Sequence, residues 1–193
     1  MNVPIYKLTI DEEDLGIEAV ALVDEPAIMV GWAAFKDIKP LRFEQVGDKQ
    51  IVTGALMIPD LPILRRDEVR GEHYVMFDSQ TIQKAAYKFF KNGFNNSVNL
   101  MHDSNEMVED AVMIESYFID KNYGKSTPKG FDELPDGTWW GTYKINNKKL
   151  WDEFIKTGQF SGFSVEGIFK YEQPKTKDEE LIEAITEQII GTN

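Results

Sequence analysis

Short apolar, β-branched runs recur along this chain, each closed by Pro, Gly, Asp or Asn, and they leave room for only three helical stretches. That punctuation restricts the fold to a sheet-rich architecture. Residues 16–23 form the first clear strand, stopped at Asp24-Glu25-Pro26, because Pro26 has no amide donor and disfavours a helical Glu25. Residues 50–58 form the second and close at Pro59-Asp60-Leu61-Pro62. Residues 74–77, 97–102, 111–119, 138–145 and 160–171 follow in the same style, the last with glycines inside it. Residues 103–106 and 124–137 read as polar surface loops.

The three helical stretches differ in strength. Asp78-Ser79 offers an N-cap ahead of Ile82, Ala85, Ala86, Phe89 and Phe90 at helical spacing, and Asn92-Gly93 ends that helix. A shorter one, 147–157, carries Leu150, Trp151, Phe154 and Ile155. Behind a charged hinge, 172–177, an amphipathic helix is predicted over 178–190. The expected class is α+β with β dominant, a small closed or half-closed β-barrel surrounded by helices. Residues 1–171 make one domain, and 172–193 a hinge and terminal helix.

Composition narrows the function. The 193 residues carry 21 Lys and Arg against 33 Asp and Glu, a net charge of −12. Such a surface repels phosphate backbones and shows no basic patch, so no nucleic-acid partner is expected. With no cysteine there are no disulfides, thiolate zinc sites or cysteine nucleophiles, and two histidines leave little for a His-rich metal site. Neither a metal nor another cofactor is expected. No apolar run reaches the roughly 18 residues of a spanning helix, and the first residues lack a basic and an apolar leader region. A soluble intracellular protein without a membrane partner is the expectation.

Two stretches could carry chemistry. Val98-Asn99-Leu100-Met101-His102 ends an apolar strand in a histidine, and strict alternation puts Val98, Leu100 and His102 on one face. Phe160-Ser161-Gly162-Phe163-Ser164-Val165-Glu166-Gly167 sets two serines and two glycines in an apolar strand. A serine hydroxyl becomes a nucleophile when a neutral imidazole takes its proton and a third group holds that imidazole. His102 with Ser164 is the most economical such pair. The bland alternative is a strand-end histidine and a serine filling a crowded sheet position.

Leu100-Met101-His102-Asp103, Glu115-Ser116-Tyr117-Phe118-Ile119-Asp120, Gly137-Thr138-Trp139 and Gly162-Phe163-Ser164-Val165-Glu166-Gly167 occur in the order seen in the XkdF-like phage serine proteases. Gly16-Ile17-Glu18, Leu22-Val23-Asp24-Glu25-Pro26-Ala27-Ile28 and Arg65-Arg66-Asp67 also resemble that family. The family is similar to prohead proteases of tailed phages and, more distantly, to herpesvirus assemblins. The resemblance implies a small barrel wrapped by helices and a serine endopeptidase of head maturation. Its substrates would be scaffold and major capsid proteins, cut inside the assembling prohead in the bacterial host cytoplasm, with retention in the virion as a further expectation. It also implies a small residue before the scissile bond. A head-assembly protein that keeps the fold without activity is the alternative.

Carried over by position, the resemblance makes Ser164 the nucleophile and His102 the general base. Ser161 is the competing serine. For the third member, Glu115 shares a strand face with Met113 and Tyr117, and a buried carboxylate there would need a partner such as an imidazole. Asp103 is the runner-up, with Asp120, Glu166 and Glu187 left open. His73 reads as an exposed strand-start residue. Backbone amides around 162–165 would hold an oxyanion; Arg65-Arg66 is a further candidate for that role, but on so acidic a chain the pair reads first as a solvated salt-bridge partner. Trp139-Trp140 offers one groove wall and one core residue. The terminal helix is expected either to pack on the barrel or to form a homodimer contact.

Overall fold

The computed structural model describes residues 3–11, 13–24, 44–46 and 49–172. Strand makes up 45% of the described residues, which is compatible with the β-dominant α+β expectation. In chain order the strands are β1 (Ile5–Thr9), β2 (Ile17–Val23), β3 (Glu44–Val46), β4 (Ile51–Met57), β5 (Ile63–Asp67) and β6 (Gly71–Met76). After helix α1 (Ser79–Lys91) come β7 (Val98–Leu100), β8 (Asp103–Met107), β9 (Ala111–Phe118), β10 (Trp139–Ile145), β11 (Gly162–Gly167) and β12 (Lys170–Glu172). They form three four-stranded sheets, ordered β12-β1-β6-β5, β3-β4-β10-β9 and β11-β2-β7-β8. Among the described residues no closed barrel is found, so the barrel expectation is not supported. The predicted terminal helix over 178–190, its hinge beyond Glu172, and Pro26-Ala27-Ile28 lie outside the described residues.

Most elements follow from local chemistry. The Asp78 carboxylate accepts the Thr81 amide at 2.7 Å and starts α1, and Gly93, at φ 75°, follows its C-cap Asn92. Ile82, Ala85, Ala86 and Phe89 are buried against the sheets, where Phe89 meets Trp139 edge-on at 5.5 Å. The 147–157 stretch becomes a single α turn, Lys148–Leu150, running into a π-helical segment, Trp151–Ile155. The long 160–171 strand divides into β11 and β12, and residues 103–106, expected as a loop, belong to β8. Every residue of β8 is exposed, so no hydrophobic alternation marked it.

The third sheet carries the site. β2 is an inner strand, flanked by β11 and β7, with Val20, Ala21 and Leu22 fully buried. β11 runs antiparallel and β7 parallel to it, and the register aligns Ser164 with Ala21 and Ala21 with Asn99. Val20, Leu22, Val98 and Phe163 therefore face the main core, while Ala19, Ala21, Asn99, Ser164 and Glu166 share the opposite face.

Candidate active site

The two alanines of β2 leave open space between β11 and β7, and polar side chains from both neighbours meet across it. Asn99 Nδ2 donates to Glu166 Oε1 at 2.8 Å, spanning β2 from one neighbour to the other. His102 Nδ1 lies 2.9 Å from the same oxygen. A carboxylate oxygen only accepts, so Nδ1 carries a proton, and in the neutral imidazole that leaves Nε2 with its lone pair, the tautomer a general base requires. Glu166 stands two residues after Ser164, and the period of two in a strand puts both on one face.

His102 does not end a strand as its alternation suggested. Leu100 pairs with Asp103, so Met101 and His102 form a two-residue hairpin turn, with φ of 52° and 64°. Positive φ at both central positions is what a type I′ turn demands, and neither residue is the usual Asn or Gly. The turn lifts the imidazole off the sheet, 42% exposed, above the carboxylate that holds it.

Ser164 is buried to 5% exposure and lines one open cleft together with His102, Glu166, Glu18 and Arg65. The Met101 amide and the Val20 amide bond across to Leu22 and Ser97, so Val20 and Leu22 direct their backbone groups to β7. Ala21 consequently faces β11, Ser164 opposite it bonds inward, and the Val165 amide turns away from β2. Arg65 forms no ion pair among the described residues. Desolvation lowers its pKa, opposed by Tyr171, yet a guanidinium stays cationic at neutral pH. Arg65 therefore lines the cleft as a cation, where the sequence favoured a solvated salt-bridge partner for the Arg65-Arg66 pair.

Gly167 is where β11 and β2 close on each other. A Cβ there would lie 2.3 Å from the Gly16 carbonyl oxygen, so only glycine permits the approach. The pairing register shifts between Glu166 and Gly167, where Ala19 and Ile17 are their partners and Glu18 of β2 is passed over.

Other expected site residues fall elsewhere. Glu115 is exposed on β9 in a different sheet and accepts from Thr142 Oγ1 at 2.8 Å. Thr142 and Thr53 hydroxyls lie 2.7 Å apart, and Trp140 Nε1 donates to Thr53 at 2.8 Å, so Glu115 terminates a polar ladder across β9, β10 and β4. The imidazole partner in this structure is Glu166, and the expected pairing of Glu115 with His102 is corrected on that ground. Asp103 Oδ1 accepts the Asn105 amide, and Asp120 accepts the Asn122 and Tyr123 amides. Glu187 lies outside the described residues. Ser161 donates its hydroxyl to the Asp24 carbonyl at 2.9 Å.

His73 is fully buried, contrary to its expected exposure. Its ring packs edge-on against Tyr6 and Tyr171, 3.0 Å from the Gly71 carbonyl and 3.4 Å from the Tyr171 hydroxyl. Both tryptophans are core, with Trp139 Nε1 bound to Ser116 Oγ, so neither walls a groove. Asn99, which sequence reading left unassigned, is buried with its Oδ1 unpartnered among the described residues. Among those residues no group of three or more His, Asp or Glu could hold a metal ion.

A family model described as "Putative phage serine protease XkdF" matches residues 41–172, which include β7, the His102 turn and β11. Neither the curated proteins nor the solved structures give a match to the chain.

Proposed function

The chain belongs to the XkdF family of phage serine proteases, and from that premise we propose that it is a serine endopeptidase whose catalytic groups are Ser164, His102 and Glu166. The observation that carries this reading is the 2.9 Å bond from His102 Nδ1 to Glu166 in a cleft that Ser164 also lines. In the proposed cycle, His102 Nε2 takes the Ser164 hydroxyl proton as Oγ attacks the peptide carbonyl. The C–N bond then breaks as the imidazolium returns that proton to the leaving amine. Water, activated by the same imidazole, hydrolyses the acyl-serine and restores the hydroxyl. Glu166 keeps the imidazole in its tautomer and offsets its transient charge.

The developing oxyanion has two donors within reach of this reading: the Val165 amide, turned away from β2, and the Arg65 guanidinium in the same cleft. Asn99 steadies the Glu166 carboxylate from below. We further propose scaffold and major capsid proteins as the substrates, cleaved inside the prohead in the bacterial cytoplasm, as the resemblance to prohead proteases implies. Co-expression of those proteins with the wild-type chain and with Ser164→Ala tests the proposal. Processing that disappears only in Ser164→Ala, with the variant still folded, supports it. Identical processing patterns contradict it, and no processing by either form favours an assembly role without activity.

A further inference from the structure

A second cavity, about 360 Å³ in volume, borders the cleft, and the two share Arg65, Ser164, Val165, Gly167 and Ile168 as lining. Its walls come from all three sheets: Leu56 at the end of β4, Ile63 on β5, Val75 on β6, and Phe163 beside the serine. Phe77 and Phe169 close it, with their rings 4.8 Å apart in an edge-to-face contact. No Asp, Glu or Lys lines it, on a chain whose net charge is −12. An apolar pocket of this size, within the roughly 300–1,000 Å³ of ordinary ligand sites, binds apolar groups by removing their surface from water.

We infer that this cavity is the specificity pocket of the proposed peptidase and takes a large apolar side chain, of the Leu, Met or Phe class, from the substrate. The inference rests on the serine-peptidase reading, since its link to chemistry is the shared Ser164. An extended peptide projects alternate side chains to one face. For a pocket that borders the nucleophile, the two substrate positions we assign to it are the residue whose carbonyl is attacked and the residue two before it. A small residue at both positions would leave the cavity empty, so the small residue that family resemblance implies occupies at most one of them.

Ile63 is the residue to change, because it is only partly buried and sits on the pocket wall. Peptide libraries varied at both positions are incubated with the full-length wild type, Ser164→Ala, Ile63→Trp and Ile63→Ala, with folding of each checked by circular dichroism. The wild type is expected to cleave Leu, Met or Phe peptides at least tenfold faster in kcat/KM than Ala or Asp peptides at one of the two positions. Ile63→Trp brings that ratio towards one, and Ile63→Ala shifts the preference from Leu towards Phe. Ser164-dependent cleavage with no apolar preference overturns the inference and leaves the peptidase reading standing, as does a preference untouched by either Ile63 variant. Absence of any Ser164-dependent cleavage across the library overturns both.

Discussion

Glu166 Oε1 accepts from His102 Nδ1 at 2.9 Å and from Asn99 Nδ2 at 2.8 Å, so one oxygen joins a hairpin turn, an edge strand and a strand two positions away. The link is possible because Ala19 and Ala21 lie between them on the same face. Removing the carboxylate while keeping its shape is the sharpest way to ask what that oxygen does. Glu166→Gln is expected to lower kcat by about 10²–10⁴-fold with little change in KM, because the imidazole loses its orientation and its counter-charge. Steady-state kinetics on a cleaved peptide provide the check.

Glu115 offers the opposite expectation. It accepts one hydrogen bond from Thr142 at the end of a polar ladder, in a sheet that does not contain His102. Glu115→Ala should cost about 0.5–1.5 kcal/mol of stability and leave turnover at the wild-type level. Urea unfolding and the same kinetic assay, run side by side, separate the two effects.

The Met101-His102 turn holds Met101 at a φ of 52°. A side chain without a short polar group is disfavoured there, by about 1 kcal/mol. Met101→Asn is expected to raise unfolding free energy by up to about 1 kcal/mol, read from the urea midpoint at unchanged slope.

Asp78 gives the fold an acid-sensitive point. Desolvation opposes its ionisation, but hydrogen bonds from Lys7 and Thr81 prevail and hold the carboxyl below its usual pKa. Its stabilising contribution is complete above the unfolded value of about 3.9 and is lost as pH falls through the lower, folded value. Asp78→Ala should therefore destabilise the protein by about 1 kcal/mol at pH 7, with the difference from wild type shrinking below about pH 4. Thermal unfolding across that range measures it.

The parts of the fold readable from sequence were those with a strong local signal. β2, β4, β9, β10 and α1 have apolar runs or caps that leave few alternatives, and their observed bounds fall close to the expected ones. β8 was hidden because all five of its residues are exposed. The turn at 101–102 was hidden because Met and His carry none of the Asn-Gly chemistry that announces a type I′ hairpin. Three separate sheets are a property of long-range pairing, which composition and periodicity do not encode.

At the site, sequence reading and resemblance singled out His102 and Ser164, and both line one cleft. The carboxylate was misjudged although a signal existed. Glu166 is two residues from Ser164, on the same face of one strand, whereas Glu115 was favoured for an expected burial that its exposed position on β9 does not provide. Asn99 had no sequence signal beyond being a polar residue in an apolar strand.

Reaction of the purified full-length protein with a fluorophosphonate, followed by peptide mass spectrometry, tests the central claim most directly, since only an activated serine hydroxyl is phosphonylated at an appreciable rate. The label is expected on Ser164, and to fall away in His102→Ala. A label on Ser161, or equal labelling of Ser164 with and without His102, would contradict the account.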